Sequence, residues 1–385
     1  MTNIIELQIN KSTPNRIELN TDSISIYLET TGFDIEHVSD DFAVWMFLPI
    51  AMKCGKNLHI RGTIDPVVAR NAEKLSYIWA MWVPGLYSTI KVTADHCMPT
   101  APVQERASEV ILFSGGIDST HAMIKRGKAG NGNLAVTVHG MDYKARDDAR
   151  FESLMAKGLP LIQDLAYESA SVKTNAAEYV APLSYSHGFL LASILFLFSG
   201  HFKKGVIASD CTWEQDMLIS PWGSNHVTNE YFASEIFKLE TAEASLSRIQ
   251  KISAISAHPV ALNTVSFCKN YKSRPDNCGQ CTKCIRTKTM FIAELGSCPP
   301  IFHVTELTKE QVASITLEKK SDFMFFFDVV LSARANGNLE KLAGLEIKVE
   351  RYIAKQKALL AEKKLSMSKK LARRLLSIAG LKREQ

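Results

Sequence analysis

No stretch of this chain is apolar for long enough to cross a membrane: the longest run, Gly188 to Ser199, has about twelve residues, against roughly twenty for a spanning helix. The start, MTNIIELQINK, has neither a basic region nor an apolar stretch, so we expect no secretory signal and a cytoplasmic protein. Cysteine is sparse, and four of the eight lie between Cys268 and Cys284, while Cys54, Cys97, Cys211 and Cys298 are scattered. That is metal-site clustering and excludes a secreted disulfide framework. No G-x-x-x-x-G-K-[ST] occurs, so a Walker A site is excluded. The net charge of +5 is unevenly spread, because residues 338–385 hold thirteen Lys/Arg and five Asp/Glu. The basic character therefore belongs to the tail.

What is present centres on EVILFSGGIDST, residues 109–120. Glu109 to Phe113 reads as a buried parallel strand, Ser114-Gly115-Gly116 as a turn, and Ile117 onward as a helix. Two glycines let main-chain N–H groups approach an anion, and the helix N-terminus adds about half a positive charge. Ser114, Gly115, Gly116, Asp118, Ser119 and Thr120 are the nucleotide-binding candidates. Asp118, as a ligand for Mg²⁺, and Ser119 are the catalytic ones.

Strands continue at Leu134–His139, Pro160–Leu165 and Gly205–Asp210, separated by helices at Asp147–Lys157 and Ser186–Phe202. This alternation predicts an α/β fold with a doubly wound parallel sheet, binding ligand at the carboxyl ends of its strands. Gly140, Met141, Asp142, Asp210 and Cys211 become candidates by position. Ser184 and His187, ahead of the apolar helix, could face a ligand, although helix capping is an equal reading of Ser184 and Ser186. Residues 210–226 read as a long loop with two tryptophans, in which Trp222 or Trp213 either stacks on a flat substrate or simply packs. Ser184, His187, Asp210 and Trp222 are the substrate-binding set.

Residues 1–105 carry no catalytic motif and read as a small α+β accessory domain. Its strands are at Asn3–Ile9, Ile24–Glu29, Leu58–Arg61 and Thr89–Thr93, and its helices at Asp41–Met52 and Pro66–Trp82. Trp45, Phe47, Tyr77, Trp79 and Trp82 read as core more readily than as a stacking platform. His96 to Arg106 reads as the linker to residues 106–302.

Cys268, Cys278, Cys281 and Cys284 form C-x9-C-x2-C-x2-C. Four thiolates at this spacing suit tetrahedral Zn²⁺, with Gly279 allowing the turn and Lys283 and Arg286 offsetting charge. Unligated thiols or an iron–sulfur cluster are the other readings, and a closed four-ligand set favours structural zinc.

SGGIDS resembles the SGGxDS signature of the PP-loop ATP pyrophosphatases, which cleave ATP between the α- and β-phosphates. With the cysteine motif after it, the arrangement resembles the 7-cyano-7-deazaguanine synthase family over residues 108–302. The resemblance implies ATP, Mg²⁺ and Zn²⁺ as cofactors. It also implies adenylation of 7-carboxy-7-deazaguanine, with ammonia then displacing AMP and a second adenylation giving the nitrile. The family's Y-P-D-C-R stretch is absent, and Thr287 stands where the family has Arg three residues after the last cysteine. The longer architecture looks like synthase-like proteins of bacterial phage-defence operons, such as the Qat system and type IV CBASS, which implies a protein amine as acceptor.

Residues 303–385 read as helical and basic. Phe323–Val330 is apolar, and Glu340–Ala379 forms one or two long helices. Lys355, Lys357, Lys363, Lys364, Lys369, Lys370, Arg373 and Arg374 could hold nucleic-acid phosphates. Leu359, Leu360, Leu371, Leu375, Leu376 and Ile378 give the helix an apolar stripe, so packing on this protein or a partner is favoured, and no aromatic follows Tyr352. Three functions follow: an ATP-dependent carbon–nitrogen ligase, a tRNA-modifying sulfurtransferase with Cys211 as persulfide carrier, or a nucleotide-binding partner module without turnover.

Overall fold

A single mixed sheet of ten strands organises the computed structural model, which describes residues 3–35, 38–101, 105–127 and 132–378, apart from the side chains of 365, 369 and 372–378. The strands are β1 (Ile4–Thr13), β2 (Arg16–Asn20), β3 (Ser25–Thr31), β4 (Asn57–Ile64), β5 (Val92–Cys97), β6 (Ala107–Leu112), β7 (Leu134–His139), β8 (Glu168–Thr174), β9 (Phe202–Ala208) and β10 (Lys238–Ala242). The first nine helices are α1 (Asp41–Cys54), α2 (Pro66–Trp82), α3 (Ile117–Arg126), α4 (Asp148–Asp164), α5 (Leu183–Phe196), α6 (Trp213–Ile219), α7 (His226–Asn229), α8 (Gln250–Ser256) and α9 (Pro259–Thr264). They are followed by α10 (Thr282–Leu295), α11 (Lys309–Ala313), α12 (Lys320–Ala335) and α13 (Leu345–Ile378). No helix among the described residues is long and apolar enough to cross a membrane.

The sheet order is β10-β9-β6-β7-β8-β3-β2-β1-β4-β5. From β10 to β8 every pairing is parallel; β3 meets β8 antiparallel and brings the N-terminal strands into the same sheet. Asn175 fastens that join, its Oδ1 accepting from Tyr27 N at 3.0 Å and its Nδ2 donating to Ser25 O at 3.0 Å. No break in the sheet therefore falls near residue 105.

The parallel half is covered on both faces. Val110, Leu112, Val136 and Val172 face α1 and α5, whereas Ile111, Phe113, Ala135 and Val206 pack with Met123 of α3, Leu161 of α4 and Ala261 of α9. Burial on both faces explains why β6 and β7 read as continuous apolar runs. The N-terminal strands bury one face only. Leu7, Leu19, Leu28 and Ile60 point to α1 and α2, while residues between them pair charges, as in Arg16 with Glu29 at 2.7 Å and Arg61 with Glu6 at 2.9 Å. Trp45, Phe47 and Trp79 are buried core as expected, but Tyr77 is exposed.

Several elements differ from expectation. Pro160–Asp164 is the last turn of α4 and Leu165 its C-cap, because Phe151, Leu154, Gly158, Leu161 and Ile162 are buried at helical spacing across Pro160. The third parallel strand is β8, ESASVKT, whose buried positions Ala170, Val172 and Thr174 are too small and polar to look like a strand. Residues 210–226 hold α6 and the start of α7 in place of a structureless loop; Thr212 and Gln215 form a capping box at α6. The strand expected at Thr89–Thr93 lies further on, at β5, which takes up the first residues of the expected linker.

By its contacts the chain divides into residues 1–284 with 299–305, and residues 285–298 with 306–385. In the second unit, α12 and α13 pack through a Phe323–Tyr352 ring stack at 4.5 Å and Arg334–Glu350 at 3.5 Å. Beyond Ile353 the described side chains of α13 are exposed, among them Lys355, Lys357, Lys363, Lys364, Lys370, Leu359, Leu360 and Leu371. The side chains of Lys369, Arg373, Arg374, Leu375, Leu376 and Ile378, named as part of the basic cluster and stripe, lie outside the described residues.

Candidate functional site

The turn after β6 sits where the chain changes direction across the sheet. From β6 it proceeds to β7 and β8 on one side, then crosses to β9 and β10 on the other. Such a switch point leaves a crevice at the carboxyl ends of the strands. A cleft of about 400 Å³ lies there, walled by Leu112, Val136, Val138 and Ile207 from strand ends and by Ser114, Asp118 and Ser119 from the turn.

Gly115 has φ +72°, a conformation that disfavours side chains, and Gly116 is the N-cap of α3 with no side-chain cap. The first-turn N–H groups of α3 thus lack acceptors within the helix. Ser119 Oγ accepts from Ser114 N at 3.2 Å, lies 3.2 Å from Ser114 Oγ and donates to Gly116 O at 3.3 Å, which pins the turn to the helix. Thr120 does not reach the cleft. It is fully buried beneath the turn, and its Oγ1 has no partner.

Asp118 stands among cations. Its carboxylate meets Arg248 Nε at 2.9 Å, Arg248 Nη2 at 2.5 Å and Lys251 Nζ at 3.1 Å, and Lys251 also donates to Ser209 O at 2.5 Å. Burial alone would raise the Asp118 carboxyl, but the fields of Arg248 and Lys251 outweigh it and hold it at about 2. The expected Mg²⁺ ligand is therefore already engaged by two positive groups. Arg248 and Lys251 were not singled out from the sequence; they follow β10, and no local motif marks them.

Of the four substrate candidates, His187 and Asp210 line the cleft, and Ser184 and Trp222 do not. His187 Nδ1 lies 2.8 Å from Leu183 O and must donate to it, so the neutral ring keeps Nε2 as an acceptor. Burial lowers the His187 pKa, favouring that neutral form. Trp222 packs on His187 at 5.2 Å, and the Ser184 carbonyl accepts from Gly223 N at 2.8 Å. Ser186 donates to Val180 O and Pro182 O, a local structural role. Met141, Asp142 and Tyr143, in the loop after β7, also line the cleft, as does Ser224.

Cys211 is buried, with Sγ 2.9 Å from Asp216 Oδ1 and 3.5 Å from Asp210 Oδ1. Burial, then Asp210 and Asp216, push its thiol well above the usual range. Asp216 in turn pairs with His226 Nδ1. Asp210, Cys211 and Asp216 lie close enough together to resemble a ligand set, but hydrogen bonds account for their grouping.

The sulfurs of Cys268, Cys278, Cys281 and Cys284 all lie within 4.8 Å of one another, with Cys268–Cys281 at 3.8 Å and Cys278–Cys284 at 3.9 Å. A tetrahedron of 2.3 Å zinc–sulfur bonds has edges of about 3.8 Å, so the four could hold a metal such as zinc. Gly279 has φ +75°, and a Cβ there would meet Val304 O at 2.1 Å; no other residue fits this turn. The Lys269 N–H at 3.4 Å from Cys281 Sγ and the Cys281 N–H at 3.3 Å from Cys278 Sγ suit thiolates. Ser266 N, two residues before Cys268, donates to Gly115 O at 2.7 Å and ties this module to the turn.

No family model matches the chain, and no curated protein matches it.

Proposed function

We propose that this protein is an ATP-dependent carbon–nitrogen ligase of the PP-loop pyrophosphatase class, adenylating a carboxylate on a deazapurine and passing it to ammonia or a protein amine. The observation that carries the reading is the strand–SGG–helix turn at the sheet's switch point, with Arg248 and Lys251 held against Asp118 beside it. Backbone N–H groups and a helix N-terminus form a cradle for a polyphosphate, two buried cations stand behind it through Asp118, and the apolar strand ends offer a surface for a flat base.

A substrate carboxylate oxygen attacks the α-phosphorus, the bond to the β-phosphate oxygen breaks, and pyrophosphate leaves. The amine nitrogen then attacks the acyl carbon, gives up a proton to solvent, and AMP departs with the oxygen that joined it to the acyl group. Arg248 and Lys251, buried behind Asp118, lend their positive field to the charge growing on pyrophosphate, and Asp118 positions them. Ser114 and Ser119 hold the turn, and His187 Nε2 can accept a hydrogen bond from the substrate. Mg²⁺ carried by ATP would find Asp142 and Asp210 on the cleft wall. The mixed α/β sheet with four clustered cysteines beside its turn supports an adenine-nucleotide-hydrolase-like reading, and the resemblance to defence-operon proteins extends the proposal to cytoplasmic anti-phage defence.

The sulfurtransferase reading requires an accessible Cys211 thiolate, and the buried, carboxylate-flanked Cys211 opposes it. Purified protein given ATP, Mg²⁺, ammonium and 7-carboxy-7-deazaguanine should release AMP and pyrophosphate over many turnovers, with an amide appearing by mass spectrometry. Release of ADP and phosphate would overturn the adenylation, and nucleotide binding without turnover would leave a binding module.

A further inference from the structure

The nine-residue spacer of the cysteine motif is fastened at three points to the β7–α4 loop and to α4 behind it, and that loop forms a wall of the cleft. Arg274 makes the central attachment. Its Nε donates to Cys268 O at 2.7 Å, a terminal nitrogen donates to Asp142 O, and its guanidinium lies 5.2 Å over the Tyr143 ring with the side chain 12% exposed. On one side, Tyr271 donates to Asp147 beneath the Arg150 guanidinium, 4.3 Å from its ring. On the other, Lys157 Nζ reaches Asp276 at 2.7 Å. Asp142 and Tyr143 line the cleft, and Cys268 belongs to the sulfur cluster. One planar cation thus joins the backbone of a cluster residue to the cleft wall.

That geometry makes the two sites depend on each other. The Cys268 carbonyl is placed by wherever the Cys268 sulfur is held, and Arg274 transmits that placement to Asp142 and Tyr143. A guanidinium presents donors in a fixed fork and can lie flat on a ring; an ammonium can do neither together. We propose that Arg274 is a positioning residue that makes the shape of the cleft depend on an intact, metal-loaded thiolate cluster. The proposal takes from the functional reading only that the cleft receives ATP.

Hydrogen exchange on the full-length protein, with zinc content and ATP affinity measured on the same samples, tests it. Arg274→Ala and Arg274→Lys should both keep the wild-type zinc content. Peptides over 140–147 should exchange roughly tenfold faster in both, β6 and β7 should be unchanged, and ATP should bind several-fold more weakly. Chelating the metal from wild type should loosen 140–147 in the same way, and doing so in Arg274→Ala should add little there. Unchanged protection of 140–147 in the alanine variant would overturn the proposal, as would loss of zinc, which would mean that Arg274 serves the cluster alone. Faster exchange with unaltered ATP affinity would sustain the coupling and count against the cleft as the nucleotide site.

Discussion

Replacing Asp118 by asparagine asks whether this carboxylate positions cations or holds a metal. The side chain keeps its shape and loses its charge, while Arg248 stays mostly buried and Lys251 fully so. Removing one partner of a buried ion pair costs about 3–5 kcal/mol, since the remaining charge is left uncompensated. For a cooperative unit as large as residues 1–284 with 299–305, that is a fall of roughly 5–8 °C in the unfolding midpoint. The same pair sets an acid limit. The folded carboxyl, at about 2, lies below an unfolded value of about 3.9, so its stabilisation is complete above that value and lost as pH falls toward 2. The amount is on the order of 2–3 kcal/mol, and the asparagine variant should lack this acid arm. Pyrophosphate separates the two roles. If Asp118 positions Arg248 and Lys251, the polyanion supplies the charge the variant lacks, and in magnesium-free buffer it should raise the variant's midpoint more than the wild type's. Scanning fluorimetry reads both effects. Equal midpoints without ligand, or a smaller pyrophosphate shift in the variant, would refute the reasoning.

Metal analysis should find about one zinc per chain, and Cys278→Ser should lower both that content and the unfolding midpoint; a wild-type protein that purifies without metal would contradict the assignment. Cys211→Ser should leave AMP release within about threefold of wild type, because a hydroxyl can replace the buried thiol as donor to Asp216; abolished turnover in a folded variant would restore a chemical role for the sulfur. Gly140→Ala should lose at least about 2 kcal/mol in urea unfolding, since φ is +124° and the new Cβ would sit 1.9 Å from Thr174 O. An unchanged midpoint there would show that the loop after β7 is not held as described.

The parts of the site legible in the sequence are those that chemistry confines to a short segment. A buried strand, two glycines and a helix start must be consecutive to make the turn, and CGQC must be consecutive to bring its sulfurs together, so both stood out at once. β8 did not, because a strand covered by small side chains needs little apolar bulk, and Pro160 hid the last turn of a helix whose buried positions keep their period across it. Arg248 and Lys251 were invisible for a different reason. They pair with Asp118 across 130 and 133 positions, and that proximity exists only because the chain turns back at β6 and places β9 and β10 on the opposite side from β7 and β8. The switch that opens the crevice also returns the cations to Asp118 on its wall, so the turn and its counter-charges are products of the same strand order. A carboxylate between them is then needed to keep two buried cations compatible with an empty cleft, which is why the aspartate of SGGIDS makes better physical sense as their holder than as a free ligand awaiting a metal.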